Sequence, residues 1–378
     1  MNPLTSRRLY AAAISLLTAL AVSACQPGSY TASATAPADI TDRVPLADIQ
    51  WLENPRDWAG PSTATLTTHA VTPVTGTAPR PSLPVTVTSD DLAGPRQVTI
   101  TSAERIIAVD MSGSLAQTVW GLGLGERLVG RDISTTFPGT EDLPVVTGTG
   151  HAISPESVLS LRPDIIITDG TVGPIDVMLQ LRQAGVTVVF LQVPPGISQA
   201  PEQALRVAEV LGVPAEGRAL AERIQVDIDA VVATIRDNTP TIREQKLRIM
   251  FLYLRGSSGI YYLFGSESGA GELIEALGGI DVAGEIGWAG LRPVTDEALI
   301  AANPDLILVM TGGLTSVGGV EELVRAKPAI GLTTAGQQRR FVDMADSQVL
   351  GFGPRTPLVV DALARAIYAP ESSATPAE

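Results

Sequence analysis

Two segments of the chain repeat one pattern, and this repeat restricts the possible folds more than any other feature of the sequence. Residues 154–168 read SPESVLSLRPDIIIT, and residues 295–309 read TDEALIAANPDLILV. Each begins with a Ser or Thr that can cap a helix, has a Glu two residues later, and runs through Pro-Asp into an apolar strand. A helix-strand unit that occurs in both halves of the chain predicts two equivalent lobes.

Strand and helix patterns alternate throughout both halves. The strand-like runs are LPVTVTS, RQVTITS, RIIAVD, RLVGRD, PVVTGTG, PDIIITDG and VTVVFLQ in the first half, then LRIMFLYL, PDLILVM and RRFVDM in the second. The first two are joined by turn residues and predict a hairpin. The rest alternate with helical patterns, which is typical of a mostly parallel sheet covered by helices. We therefore expect α/β lobes over residues 83–212 and 241–370.

A long amphipathic helix is predicted between the lobes, over residues 215–237. Its apolar side chains recur at spacings of three and four, at Leu220, Ile224, Ile228, Val231 and Ile235. At 1.5 Å per residue such a helix is roughly 33 Å long. We assign residues 213–240 to a single interlobe helix.

The first residues have the composition of a targeting segment. Two arginines, an apolar run and small residues precede the only cysteine, which predicts a secretory signal peptide over residues 1–24. The letters VSAC resemble a bacterial lipobox, so we expect Cys25 to be lipidated and to anchor the chain at the extracytoplasmic face of the cell membrane. Residues 25–82 are rich in Pro, Thr and Ala and predict a flexible tether in which His69 is solvated. Residues 371–378 form a polar tail.

Composition excludes several functions. A formal charge of −14 argues against nucleic-acid binding. One cysteine and two histidines exclude a disulfide framework and a cysteine or multi-histidine metal site. The glycines of GLGLGERLVG follow a predicted helix instead of linking a strand to a helix, so the dinucleotide fingerprint fails. With no convincing nucleophile and base, we expect a binding protein and not an enzyme.

Three side chains point to a ligand site. Tyr253 and Arg255, in FLYLRGSS, leave the same face of a strand end, where the guanidinium would favour a phenolate, and tyrosine is a known haem ligand. His151 follows the carboxyl end of a predicted strand, the edge where ligands bind in open α/β sheets. The structural alternatives are a strand-end Tyr beside a solvated Arg, and a loop His bonded to backbone. Across a cleft, His151 and Tyr253 could bind one metal from opposite sides.

With these residues and GFGPRTP at 351–357, the chain resembles the haem-binding lipoproteins of bacterial ABC-type haem uptake systems, especially the actinobacterial type. The resemblance covers about residues 83–370 together with the signal and lipobox. It implies a class III periplasmic-binding-protein fold, with two Rossmann-like lobes joined by one helix. It also implies that His151 and Tyr253 ligate haem iron axially and that Arg255 hydrogen-bonds the phenolate.

The resemblance further implies delivery of haem to an ABC transporter permease, and we expect the protein to be a monomer. In the wider class of helix-hinged binding proteins one glutamate per lobe docks on permease arginines, and Glu156 and Glu297 match that pattern. Helix capping is the structural alternative for both. The candidate groups for the haem propionates are Arg131, Arg292, Arg355 and the backbone amides near residues 112–114. A ferric-siderophore or cobalamin binder of the same fold is the alternative function.

Overall fold

The computed structural model describes residues 39–256 and 260–372. The predicted signal peptide, Cys25 and all but the first two residues of the polar tail lie outside the described residues. Thirteen strands occur in the described part of the chain: β1 (Ser62–Ala64), β2 (Val85–Ser89), β3 (Arg96–Ile100), β4 (Ile106–Val109), β5 (Leu128–Gly130), β6 (Ile165–Thr168), β7 (Thr187–Phe190), β8 (Arg248–Arg255), β9 (Ile260–Leu263), β10 (Ile280–Asp281), β11 (Arg292–Pro293), β12 (Leu306–Met310) and β13 (Phe341–Met344).

The same residues contain fourteen α-helices. They are α1 (Ser114–Val119), α2 (Pro155–Ser160), α3 (Ile175–Gln183), α4 (Ala200–Val210), α5 (Pro214–Asn238), α6 (Ala270–Ala276), α7 (Val282–Glu285), α8 (Asp296–Ala302), α9 (Thr311–Ser316), α10 (Val320–Ala326), α11 (Pro328–Gly331), α12 (Thr334–Gln337), α13 (Asp346–Val349) and α14 (Thr356–Tyr368). Within the described residues, no helix has the length and apolar character needed to cross a bilayer.

The first lobe is built on a parallel sheet. Its strands β4 to β7 lie in the order β5-β4-β6-β7, and the predicted hairpin is observed as the antiparallel pair β2 and β3. Strands β4 and β6 are buried along their whole length, as expected for parallel strands covered on both faces. The segment PVVTGTG, predicted as a strand, makes only two isolated bridges, between Val145 and Arg131 and between Thr147 and Ile153. Its glycines instead lead into a 3-10 turn at Thr149–His151.

The second lobe is built on a mixed seven-stranded sheet. Its main order is β1-β13-β12-β8-β9-β11, and β10 pairs with the start of β8. Strands β1, β13, β12 and β8 are parallel, whereas β9 and β11 are antiparallel additions that the sequence analysis did not predict. The parallel carboxyl ends of β8, β12 and β13 therefore meet at one edge. The two α/β lobes confirm the predicted fold class.

The helix predicted over residues 215–237 is observed as α5, with 25 residues. Its apolar stripe faces the core, since Leu220, Ile224, Ile228 and Ile235 are all buried. This burial against α4 and α14, and not intrinsic helix propensity, holds a helix of this length in place.

The prediction of a flexible tether is wrong for its described part, residues 39–82, which we call the N-terminal arm. Strand β1 extends the edge of the second lobe by pairing with β13. The arm then crosses to the first lobe, where Val74 N–H donates to the Gly121 carbonyl and Ser82 N–H to the Gly212 carbonyl, both at 2.8 Å. Backbone pairing at a sheet edge needs no periodic side-chain pattern, so composition did not reveal it. The lobes are thus joined by two chain segments and not by α5 alone.

His69, predicted to be solvated, is buried at 4 % exposure within this arm. Its backbone N–H donates to Asp39 Oδ1 at 2.8 Å, and its carbonyl accepts from Arg355 Nη1 at 3.3 Å. Burial and the nearby Arg355 charge lower the pKa of His69. The imidazole is therefore part of the packing between the arm and the lobes.

Candidate functional site

His151 lies at the end of the 3-10 turn that precedes α2. Its backbone has φ 59°, a left-handed conformation that non-glycine residues rarely adopt, and it follows Gly150 at φ 72°. The Gly173 N–H donates to the His151 carbonyl at 3.3 Å, and the Ser154 hydroxyl caps α2 three residues later. Turn and cap together fix the position from which the imidazole projects. Backbone held in such a conformation is often found at ligand sites.

The His151 ring has a lowered pKa and one nitrogen without a partner among the described residues. Burial lowers the pKa of His151, and the positive charge of Arg255 lowers it further, against a smaller opposite effect of Asp110. Nδ1 is buried without a hydrogen-bond partner among the described residues. The structural alternative, in which the ring is hydrogen-bonded to backbone, therefore does not hold for Nδ1. Since Arg255 belongs to the second lobe, its effect also shows that His151 lies within electrostatic reach of that lobe's strand edge.

Tyr253 and Arg255 lie at the carboxyl end of β8, on one face as expected, and both are half-buried. The Tyr253 ring packs edge-on against Phe264, with ring centroids 5.7 Å apart. The Arg255 guanidinium carbon lies 4.9 Å from the centroid of the Tyr253 ring, and Nη1 lies 3.5 Å from Asp346 Oδ2. The guanidinium is attracted by the ring face and by a carboxylate. It is not hydrogen-bonded to the phenol.

Two of the three propionate candidates are buried and donate hydrogen bonds to protein groups. Arg131 is 9 % exposed and donates from Nη1 to the Thr135 carbonyl at 3.0 Å. Arg355 is 3 % exposed and donates from Nε to Gln117 Oε1 at 3.1 Å, in addition to its bond with the arm. Burial lowers the pKa of Arg355 to about 10.

Arg292 is the remaining candidate. It lies exposed on β11, with its guanidinium 4.9 Å from the ring centroid of Trp288. The backbone amides of Ser112 and Ser114 are not free, because both donate to Asp110 Oδ2. Of the proposed propionate groups, only the Arg292 guanidinium is therefore available at the surface.

Three carboxylates at the carboxyl edge of the first lobe escaped the sequence analysis. Asp110, Asp132 and Asp169 each follow a strand, and this position in AVD, GRD and TDG was the signal that could have revealed them. Burial, followed by the charge of Asp110, raises the pKa of Asp132 to about 7 and that of Asp169 to about 6. Asp110 itself accepts hydrogen bonds from backbone and hydroxyl groups of residues 112–115. The carboxyl edge of the first lobe therefore carries less negative charge near neutral pH than three fully ionised aspartates would give it.

Glu156 and Glu297 occupy the exposed first turns of α2 and α8. The capping bonds come from their neighbours: Ser154 Oγ accepts from Ser157 N–H and Thr295 Oγ1 from Ala298 N–H, both at 3.2 Å. Within the described residues, neither glutamate carboxylate has a hydrogen bond or ion pair. Both carboxylates are therefore free for an external partner.

Comparison with known proteins supplies a family and several similar structures. Residues 109–347 match the family model described as periplasmic binding protein. The crystal structure of haem binding protein HmuT is 36 % identical, with a TM-score of 0.77, and the match covers 84 % of this chain and 99 % of that chain. No curated protein sequence matches the chain.

Two further structures are similar over a smaller part of the chain. The periplasmic haem-binding protein RhuT from Roseiflexus sp. RS-1, in its apo form, is 33 % identical with a TM-score of 0.63. BhuT in complex with two haems is also 33 % identical, with a TM-score of 0.62. Each match covers 72 % of this chain and 100 % of the other. Structures of HmuT variants have alanine at one histidine, one tyrosine or one arginine, and that tyrosine and arginine are two positions apart.

Proposed function

Since this chain belongs to the periplasmic binding protein family, we propose that it binds haem between its lobes and delivers it to an ABC transporter permease for uptake. A member of this family acts outside the cytoplasm. The function is binding and transfer of a cargo, and no chemical step is assigned to the protein.

The observation that carries the proposal is the pair of potential iron ligands on opposite lobes. His151 has a buried Nδ1 with no partner in the described residues, and burial and the charge of Arg255 lower the pKa of its ring. Tyr253 belongs to the same strand end as Arg255. Ferric haem has two axial positions, and imidazole and phenolate are both haem ligands. We assign one position to each residue.

The similarity to HmuT supports these roles. The spacing of the tyrosine and arginine replaced in its variants is the spacing of Tyr253 and Arg255. We propose that Arg255 leaves the ring face and donates a hydrogen bond to the Tyr253 oxygen when that oxygen becomes a phenolate. Arg292 is the proposed partner of a haem propionate, because its guanidinium is exposed and has no carboxylate partner among the described residues.

For transfer, we propose that Glu156 and Glu297 dock on the permease. Both carboxylates are exposed on first helical turns, one on each lobe, and neither is needed as a cap. We further propose that Cys25 carries a lipid that holds the protein at the extracytoplasmic face of the membrane, where a monomer meets its permease.

Titration of the purified protein with haemin tests the function directly. We expect a Soret band and a tyrosinate-to-iron charge-transfer band that saturate at a defined stoichiometry. A ferric siderophore and cobalamin, added first, should not prevent these bands. If haemin gives no ligand-linked bands and either competitor quenches intrinsic fluorescence saturably, the alternative cargo is the better assignment.

A further inference from the structure

Three chain segments of the second lobe meet just beyond one edge of its sheet. Strands β8, β12 and β13 are parallel neighbours that end at this edge, and β12 lies between the other two. Arg255 is the last residue of β8, Gly312 lies in the first turn of α9 directly after β12, and Asp346 is the first residue of α13 after β13.

Direct contacts connect these three residues. Asp346 Oδ1 accepts from the Gly312 N–H at 2.7 Å, and Asp346 Oδ2 lies 3.5 Å from Arg255 Nη1. The guanidinium carbon of Arg255 lies 4.9 Å from the Tyr253 ring centroid. A single carboxylate is thus fixed to the backbone at one oxygen and faces the guanidinium with the other.

Gly312 leaves the space that this carboxylate occupies. A Cβ atom at this position would lie 2.8 Å from Asp346 Oδ2 and 2.9 Å from Oδ1, too close for either oxygen to stay in place. The φ of Gly312 is not positive, so an alanine could adopt the backbone conformation. The requirement for glycine here is therefore space for the Asp346 carboxylate.

We propose that Asp346 is a positioning residue that holds the Arg255 guanidinium beside Tyr253 before the ligand arrives. This proposal rests on the proposed haem-binding function. An arginine on a flexible stem samples many rotamers, and restricting it in advance reduces the ordering cost at the moment of binding. The remaining N–H groups of Arg255 are then close to the tyrosine when its oxygen becomes an anion.

The expected size of the effect follows from exposure. The side chains of Arg255 and Asp346 are 39 % and 36 % exposed, so solvent screens their attraction. Exposed pairs of this kind change an equilibrium by about two- to fivefold. Loss of Asp346 should therefore have a smaller effect than loss of Arg255 itself.

A double-mutant cycle tests whether Asp346 acts through Arg255. Haemin affinity is measured by Soret titration for the wild type, Asp346→Asn, Arg255→Ala and the double variant. We expect Asp346→Asn to weaken binding about two- to fivefold in the wild type, to shift the charge-transfer band towards that of Arg255→Ala, and to have no further effect once Arg255 is absent. Equal weakening in both backgrounds, or none in either, overturns the proposal.

Gly312→Ala gives an independent variant, because it displaces the carboxylate without altering either charged side chain. It should reproduce the band shift of Asp346→Asn. The matched control is Gly76→Ala, since a Cβ there meets nothing within 4 Å. A Gly312→Ala protein with the wild-type band position contradicts the proposal.

Crystal structures of the ligand-free wild type and Asp346→Asn separate this proposal from the haem assignment. Arg255 should lie over the Tyr253 ring in the wild type and be displaced in the variant. If the wild type does not bind haemin, the proposed function fails, yet the position of Arg255 still decides whether Asp346 orients it. An unchanged Arg255 in the variant overturns the positioning role even if haem binds.

Discussion

Tyr253 supplies the group on which the haem assignment depends most. Tyr253→Phe keeps the ring and its edge-on packing against Phe264 but removes the oxygen, so it should abolish the tyrosinate-to-iron band and lower haemin affinity strongly. Arg255→Ala should cost less, about 1.5–3 kcal/mol, the usual contribution of a hydrogen bond to a charged group. Soret titrations give both values.

The control for Tyr253→Phe is Tyr261→Phe. Tyr261 points from β9 to the other face of the sheet, where it contacts Lys327, so its variant should keep the wild-type spectrum. A Tyr253→Phe protein with wild-type spectrum and affinity would mean that FLYLRGSS is merely a structural strand end.

His151 should ligate iron through a neutral ring nitrogen. His151→Ala should convert the bound haem to a five-coordinate or water-ligated form still held by tyrosine. Because burial and Arg255 lower the pKa of His151, the wild-type spectrum should persist on acidification to about pH 6.5, the ordinary histidine pKa, and change only below it. Absorption spectra across pH measure this.

The other histidine provides the control, since the chain has two. His69→Gln lies in the N-terminal arm and should leave the haem spectrum unchanged, whatever it does to stability. Identical spectra for His151→Ala and the wild type would exclude His151 as a ligand.

Asp169 should make stability depend on pH in a direction opposite to that of a salt-bridged carboxylate. Burial and the charge of Asp110 raise its pKa from 3.8 to about 6. The folded state therefore binds more protons than the unfolded state between these values, and the stability that Asp169 contributes at low pH is lost as pH rises through about 6. Asp169→Asn should thus gain about 1–3 kcal/mol relative to wild type between pH 4 and pH 7. Urea unfolding at several pH values measures this.

Asparagine can keep the bonds that Asp169 Oδ1 accepts from the Thr171 N–H and hydroxyl, at 2.8 and 2.6 Å. The exposed Asp142→Asn is the control and should leave the pH dependence unchanged. A pH profile of Asp169→Asn parallel to that of the wild type would show that this carboxyl is ionised throughout the range.

At the scale of elements, variants in the first turns of α2 and α8 can distinguish a helix-capping role from a permease-docking role for Glu156 and Glu297. Glu156→Ala and Glu297→Ala should leave haem affinity intact and weaken uptake through the permease, and the double variant should be worse. Thr295→Ala is the matched control, because it removes the observed cap of α8 and should cost about 1 kcal/mol of stability without affecting uptake. Measuring haem transport into vesicles that contain the permease distinguishes the capping role from the docking role. Wild-type uptake by both glutamate variants would refute the docking role.

The two chain segments between the lobes determine how far the whole molecule can close. Helix α5 and the N-terminal arm both cross from lobe to lobe, and Arg355 ties Gln117 of the first lobe to the His69 carbonyl of the arm. We expect closure of only a few degrees on ligand binding, unlike proteins with flexible strand hinges. X-ray scattering with and without haemin should give superimposable profiles, and a marked compaction would show that the two crossings do not limit motion.

Local patterns in the sequence determined most of the fold. The apolar runs of β4, β6, β7 and β12 and the stripe of α5 predicted these elements, because side-chain periodicity is a property of the chain itself. The sequence also predicted Tyr253 and Arg255 on one face of a strand end, whereas the strand predicted before His151 is replaced by a 3-10 turn. Capping residues before α2 and α8 were equally visible.

Only the tertiary structure decided which of these groups are available and what surrounds them. In the tertiary structure Arg131 and Arg355 are buried and bonded to protein groups. The arm pairs with the edge strand β13, and Asp346 lies beside Arg255. The tertiary structure also raised the pKa of Asp132 and Asp169. The physical reason is common to all of these cases: backbone pairing between distant segments, desolvation and the distance between charges depend on how remote parts of the chain meet. The local spacing of residues therefore does not predict these three properties.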